Sequence, residues 1–314
     1  MDASIPGIHH ITAIAGPAPE SLNFYTTVLG LRCVKTTVNF DDPTTYHLYF
    51  GDATGRPGTI LTLFPWAQAV PGRAGAGMAT AVAFAVPSGS LPAWQDRLEA
   101  AAVETHPAER FGAPVLQLTA PDGLPLELVA TDLALSADAW AGADLDRDLA
   151  IRGFHGTTLP ALDRPHTEAL FTDVFGWTRT HATDDRIRLA APGRPLGGTV
   201  DLQTDASHAA GRMGQGTVHH VAFRARDADE QRAWQAALRD RGLSVTDVKD
   251  RQYFQSIYFR DPAWTSGVLF EIATDGPGFT ADESADALGT ALQLPPWLEA
   301  RRSELEAALP TLER

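Results

Sequence analysis

The sequence predicts an α+β fold in which four βαβββ modules pair into two cup-shaped β-sheet barrels. Two observations lead to this prediction. The order strand, helix, strands recurs four times along 314 residues, and an opening strand with two adjacent histidines occurs twice, as Gly7-Ile-His9-His10-Ile and Thr217-Val-His219-His220-Val. Because self-similar segments indicate an architecture built from copies of one unit, each module is expected to supply half of a cup.

The strand and helix patterns give the limits of the modules. We expect two tandem modules within 1–132 (1–75 and 76–132), a linker at 133–149, two further modules within 150–274 (150–210 and 211–274), and a helical tail at 275–314. In the first module, Leu22, Tyr25 and Leu29 share one stripe of a helix over 20–28, and Gly30 supplies its left-handed stop. Strands are expected there at 8–14, 31–37, 46–50 and 59–64.

The other modules repeat this order. The second has strands at 80–86, 114–119 and 124–130 and a helix at 91–101; the third has strands at 153–159 and 199–203 and a helix at 167–174; the fourth has strands at 217–225, 256–260 and 268–273 and a helix at 229–241. The tail is expected to pack on the body as a strap of helices through Leu288, Leu292, Leu294, Trp297, Leu298 and Leu305.

Composition restricts the class of protein and its partners. Apolar residues at 44% and charged residues at 20% are typical of soluble globular proteins, and no apolar run approaches the ~18 residues of a membrane span. A cytoplasmic protein is therefore expected. The net charge of −14 would repel a nucleic-acid backbone, which favours a small-molecule partner. The single cysteine, Cys33, cannot form an internal disulfide and is expected to be a small buried hydrophobe.

The repeat also predicts where a metal would bind. Aligned by eye, the first strands place His10, Ala81, His155 and His220 in register, and the last strands place Thr62, Glu127, Leu202 and Glu271 in register. Pairing the outer modules brings His10, His220 and Glu271 together beside Thr62, whereas pairing the inner modules gives too few ligands. Two imidazoles and one carboxylate on one face of a metal leave other positions free, a pattern that suits non-haem Fe(II) and oxygen chemistry.

Sequential pairing of the modules is the alternative, and it would build the site from His155 with His220 and Glu271. Taken singly, His155 is more simply a core residue and Glu127 the remnant of a second site. His47 lies in an alternating strand, where packing is its expected role.

Several motifs resemble the hydroquinone ring-cleaving dioxygenases of the vicinal-oxygen-chelate superfamily, which also includes glyoxalases, extradiol dioxygenases and bleomycin-resistance proteins. The matching motifs span nearly the whole chain and include Gly7-Ile-His-His-Ile-Thr12, Phe24-Tyr25, Leu29-Gly30, Tyr46-His-Leu-Tyr-Phe50, Pro57-Gly58-Thr59, Phe64-Pro65 and Leu294-Pro-Pro-Trp297. The resemblance implies Fe(II), with Mn(II) or another divalent metal as the alternative, held by His10, His220 and Glu271.

The resemblance also implies catalytic roles for residues around the metal, namely His9, Thr12, His219, Arg251 and Tyr258. Tyr258 or a histidine would exchange protons with the substrate, and Arg251 would stabilise developing negative charge. Adjacent strand residues face opposite sides, so His9 and His219 reach the site only if their strands are irregular or if they act from behind. The segment 261–266 is longer than the short turn expected there.

The expected reaction is cleavage of a hydroquinone-type or catechol-type aromatic diol by O2, and a homo-oligomer is compatible with the sequence. A metal-dependent glyoxalase or isomerase is the first rival, but it usually needs a second carboxylate where Thr62 stands. A non-catalytic binding or resistance protein is the second rival, and it would need no metal-binding trio.

Overall fold

The computed structural model describes residues 4–142, 144–161, 163–203, 209–261 and 267–312. The strands in chain order are β1 (Ile8–Ala15), β2 (Arg32–Asn39), β3 (Asp42–Gly51), β4 (Ile60–Pro65), β5 (Ala81–Pro87), β6 (Thr105–Arg110), β7 (Ala113–Thr119), β8 (Pro125–Thr131), β9 (Gly153–Pro160), β10 (Thr178–Ala182), β11 (Arg186–Ala190), β12 (Thr199–Gln203), β13 (Thr217–Ala225), β14 (Lys249–Asp250), β15 (Gln255–Arg260) and β16 (Leu269–Thr274).

The helices are short and lie between strands or in the tail. They are α1 (Ala18–Asn23), α2 (Leu91–Ala100), α3 (Arg164–Ala169), α4 (Ala228–Asp240) and α5 (Arg302–Ala308). The helix expected over 20–28 is only partly α-helical, because a π-helical turn, Phe24–Val28, follows α1. Gly30, two residues after this turn, has a φ of +70°. A matching π-turn, Leu170–Val174, follows α3. None of the helices in the described ranges is long and apolar enough to cross a membrane.

Two eight-stranded sheets form the body, and each combines two modules. One has the order β14-β15-β16-β13-β1-β4-β3-β2, and the other has the order β10-β11-β12-β9-β5-β8-β7-β6. The first sheet therefore joins the first and fourth modules, and the second joins the inner two. This confirms the predicted two-cup fold and the pairing of outer with outer modules. We call the sheet that contains β1 and β13 the first cup and the other sheet the second cup.

The strand register corrects the alignment of the third module by one residue. Thr12 pairs with Thr62, Ala222 with Glu271 and Ala83 with Glu127, and the corresponding pair in the third module is Thr158 with Asp201. Gly156 and Asp201 therefore occupy the positions that the sequence alignment assigned to His155 and Leu202. Leu202 is instead buried in the hydrophobic core. The sequential alternative is also wrong, since β9 pairs with β5 and β13 with β1.

Four strands, β6, β10, β11 and β14, were not expected from the sequence. The short strand β11 does alternate, with Ile187 and Leu189 buried, and was missed, whereas β6, β10 and β14 have no such alternation and β10 is exposed along its whole length. A strand without a buried face shows no period-2 hydrophobic signal, so backbone pairing alone defines such edges.

The tail, as far as residue 312, packs on the first cup and contains one α-helix, α5, and three short 3₁₀ turns. Leu288, Leu294, Leu298 and Leu305 are buried. Trp297 is 51% exposed, contrary to its expected packing role, and makes only an edge contact with the Phe40 ring at 5.5 Å. A fully buried Lys35 ties the tail to β2 through ion pairs with Asp282, at 2.5 Å, and Glu283.

Candidate metal centre

Three buried ligand side chains converge at the centre of the first cup. His10 lies on β1, His220 on β13 and Glu271 on β16. The two histidine Nε2 atoms are 3.3 Å apart, and Glu271 Oε2 lies 3.0 Å from His220 Nε2 and 3.6 Å from His10 Nε2. Adjacent octahedral ligands at about 2.1 Å from an ion are separated by about 3 Å. The trio therefore has the spacing of one face of a coordination octahedron.

Strand pairing explains why residues so distant in sequence meet. The strands β1 and β13 run antiparallel at the middle of the sheet with Thr12 opposite His220, and β16 runs parallel to β13 with Ala222 opposite Glu271. The β1–β13 pairing shifts register between Ile8 and His10 and again between Thr12 and Ala13. Such irregularities redirect side chains next to functional sites.

The charge state of the trio suits a divalent cation. Burial lowers the pKa of His220 despite the neighbouring carboxylate, so its imidazole is neutral. Burial alone would raise the pKa of Glu271, but His10 and His220 hold it well below the usual range. Glu271 Oε1 accepts a hydrogen bond from Ser256 Oγ at 2.5 Å, whereas the buried Oε2 faces the Nε2 atoms of the two ligand histidines, which have no proton to donate when Nδ1 carries it. A buried anionic oxygen is costly without a counter-charge, and a bound metal ion would supply one.

A second histidine orients each ligand histidine from behind. His9 Nδ1 lies 2.9 Å from His10 Nδ1, and His219 Nδ1 lies 2.8 Å from His220 Nδ1. A proton held between the two Nδ1 atoms leaves the Nε2 lone pair of the ligand free, and such outer partners fix the ring orientation of metal ligands. His219 also lines the cavity. Both residues thus contact a ligand histidine from behind, which is one of the two arrangements that the sequence left open.

A chain of hydrogen bonds leads from the ligands to the opposite wall. Thr12 Oγ1 lies 2.9 Å from His220 Nε2 and 2.8 Å from Thr62 Oγ1. Thr62 in turn contacts His47 Nε2 at 2.8 Å, and His47 Nδ1 contacts the Tyr49 hydroxyl at 2.8 Å. His47 therefore lines the site and is not merely a packing residue. The pairing of β3 with β4 could have indicated this position of His47. Tyr49 lies opposite Thr62, and His47, two residues before Tyr49, is on the same face of β3.

Tyr258 and Arg251 form the rim of the site on the β15 side. Tyr258 lies opposite Glu271 across the β15–β16 ladder, and its ring is 5.9 Å from that of His220. Arg251 Nε donates to the Tyr258 hydroxyl at 3.1 Å, while its Nη1 pairs with Asp41 Oδ2 at 3.0 Å. Burial raises the pKa of Tyr258, with Glu271 adding to the shift, so the phenol is protonated near neutral pH. Asp41 comes from the β2–β3 turn, which sequence patterns did not connect with the site.

The ligands face a cavity of about 290 Å³. Its walls are mainly aromatic and imidazole rings, contributed by Phe40, His47, Tyr49, Phe64, Trp66, His219, Phe254 and Tyr258. Such a lining suits a flat, largely apolar ring with a few polar substituents. Of the segment 261–266, which is longer than the short turn expected there, residues 262–266 lie outside the described residues.

Comparison with known proteins agrees with this architecture. The model of the "Glyoxalase/Bleomycin resistance protein/Dioxygenase superfamily" matches residues 7–128 and 154–272. Maize glyoxalase I has the same fold, with a TM-score of 0.62 and 13% identity over 86% of this chain and 92% of its own. These similarities define the class as paired-module proteins of this superfamily.

Closer relatives narrow the class. The Bacillus subtilis protein named "Putative ring-cleaving dioxygenase MhqO" is 44% identical over 96% of this chain and 95% of its own length. The "Chlorohydroquinone/hydroquinone 1,2-dioxygenase" of Sphingobium indicum is 35% identical over 96% and 95%. A crystal structure of a Bacillus subtilis protein described as a "putative dioxygenase" superposes with a TM-score of 0.94 at 42% identity, covering 99% of this chain and 98% of that one. The chain belongs to this superfamily and, within it, to the ring-cleaving dioxygenases.

Proposed function

We propose that this protein is an Fe(II)-dependent dioxygenase that cleaves the ring of a hydroquinone-type aromatic diol. The observation that carries the proposal is the convergence of His10, His220 and Glu271 on one side of a cavity walled by aromatic rings. The relative that acts on chlorohydroquinone and hydroquinone supports this choice of substrate. Mn(II) is the alternative metal, because ligand type alone does not separate the two ions.

The donor set fits such a metal. Two imidazole nitrogens and one carboxylate are typical non-haem iron ligands, and one face of the ion would be left for other ligands. Iron bound there would supply Lewis acidity and would relay electrons from the aromatic diol, which is the reductant, to O2.

The surrounding residues would bind and orient the diol. The aromatic walls stack against its ring and exclude water, which strengthens the polar contacts inside the cavity. Tyr258 and His219 line the cavity, and their side chains would exchange protons with the diol oxygens. Arg251, held by Asp41 and Tyr258, would stabilise negative charge on the substrate. Thr12 and His9 would position the histidine ligands.

A glyoxalase-type isomerase is the second candidate, and the site supports it less well. The fourth inward position of the first cup is Thr62, whose hydroxyl bonds Thr12 and His47. A threonine hydroxyl is not a base near neutral pH, so the second carboxylate that would shuttle a proton is missing from that position.

Anaerobic loading with Fe(II) followed by oxygen-electrode assays tests the proposal. Hydroquinone is expected to drive O2 uptake, catechol less, and a hemithioacetal should not turn over. Glu271→Gln should abolish uptake, whereas the matched control Glu127→Gln, at the same register position of the second cup, should retain it. Turnover of the hemithioacetal without O2 uptake would contradict the proposal and favour the isomerase.

A further inference from the structure

The second cup retains a cavity, although it lacks the metal trio. At the register positions of His10, His220, Thr62 and Glu271, the inner modules carry Ala81, Gly156, Glu127 and Asp201, respectively. Loss of both imidazoles leaves a space of about 380 Å³. Its lining includes Ala81, Arg110, Gln117, Glu127, Thr158 and Arg186.

Each carboxylate of the second cup has its own arginine. Asp201 receives two hydrogen bonds from Arg188, from Nε at 2.7 Å and Nη2 at 2.9 Å. Glu127 accepts from Arg110 Nη2 at 2.7 Å and from Gln117 Nε2 at 2.9 Å. Both negative charges are thus compensated within the protein, and neither is free to hold a cation.

Arg186 is the third arginine beside these two carboxylates, and it has no carboxylate of its own among them. Its Nη1 donates to Thr158 Oγ1 at 3.1 Å and lies farther, at 3.4 Å, from Asp201 Oδ2. The Asp201 carboxylate already accepts two hydrogen bonds from Arg188. The Arg186 side chain is 12% exposed and lines the cavity. Among the described residues around this cavity, three guanidinium groups face two carboxylates, so Arg186 shares Asp201 with Arg188. A largely buried charge that shares its counter-charge is incompletely compensated, and an anion in the cavity would offset that cost.

We propose that the second cup binds a small carboxylate anion with an apolar body, held by Arg186. The planar guanidinium matches a carboxylate in two parallel hydrogen bonds. Thr80, Gln117 and Gln203 offer further polar contacts, while Leu118, Pro125 and Leu126 form an apolar side for the rest of the molecule. The cavity is within the size range of small-molecule sites, roughly 300–1,000 Å³. This site is independent of the metal and of the proposed ring cleavage.

Isothermal titration calorimetry with benzoate, and with neutral benzamide as its isostere, tests the site on the full-length protein. Benzoate is expected to bind with one-to-one stoichiometry, and benzamide at least tenfold more weakly. Arg186→Gln should weaken benzoate binding at least tenfold, and Arg186→Lys should weaken it less. Arg179→Gln is the matched control, because Arg179 lies on β10 of the same sheet, pairs with Glu168 and is outside the cavity lining. It should leave affinity unchanged.

Thermal unfolding of each variant checks that it is folded. If Arg186→Gln does not fold, Ala81→Leu, which narrows the cavity without touching any charge, should reduce benzoate affinity instead. Equal binding of benzoate and benzamide, unchanged affinity in a folded cavity variant, or no benzoate binding at millimolar concentration would each overturn the proposal.

Discussion

Ser256→Ala should weaken the metal centre without altering any ligand. Ser256 is fully buried on β15, and its hydroxyl donates to Glu271 Oε1 at 2.5 Å, a length typical of a strong bond to an ionised acceptor. A hydrogen bond to a charged group contributes about 1.5–3 kcal/mol, and outer partners of metal ligands affect metal affinity by about 10–100-fold. We expect Fe(II) affinity to fall within that range and the melting temperature of the apoprotein to drop.

Anaerobic titration of Fe(II) against a chelator of known affinity measures the first effect, and calorimetric unfolding measures the second. Ser88→Ala is the matched control, because Ser88 makes the same contact with Asp132, also at 2.5 Å, on the exposed surface. Solvent replaces that bond, so neither quantity should change. If Ser256→Ala binds Fe(II) as tightly as the unaltered protein, the reasoning that Ser256 supports Glu271 as a ligand is wrong.

Three further predictions concern stability and the cavity rim. Burial raises the pKa of Asp122 to about 6, so the stabilisation present at acid pH is lost as pH rises through that value; Asp122→Asn should add about 1–3 kcal/mol to the free energy of unfolding at pH 8 and nothing at pH 4, measured by urea titration. Fe(II) at about 100 times its Kd should stabilise the protein by about 2.7 kcal/mol in anaerobic unfolding, an effect that Glu271→Gln should abolish. Asp41→Asn removes a largely exposed partner of Arg251 and should change the free energy of unfolding by less than about 1 kcal/mol. A shift in the KM for hydroquinone would show that Asp41 restrains Arg251 at the rim of the metal-centre cavity.

The repeat predicted that His10, His220 and Glu271 would meet, because equivalent strands of repeated modules share one register. Histidines at the same position of two equivalent strands face the same side of the sheet in both modules. His10 and His220 could therefore be aligned from the sequence alone. The same reasoning failed by one residue for His155 and Leu202. The shorter third module offers few landmarks, and a one-residue slip exchanges the two faces of a strand.

Other parts of the site depend on contacts that no local pattern encodes. Asp41 reaches Arg251 from a turn more than two hundred residues earlier in the chain. Ser256 is recognisable only after Tyr258 is placed, because the two residues share one face of β15. His47 resembles any alternating strand residue until Thr62 is known to lie beside it. The contacts of these residues depend on the order of the strands in the sheet, and the sequence indicates that order only through the pairing of modules.

The central claim is that His10, His220 and Glu271 hold one metal ion. Anomalous diffraction at the iron absorption edge, from crystals grown anaerobically with Fe(II), tests it most directly. The account predicts one strong peak about 2.0–2.3 Å from His10 Nε2, His220 Nε2 and a Glu271 carboxylate oxygen. A peak elsewhere, or none at these three atoms in crystals shown to contain stoichiometric iron, would contradict it.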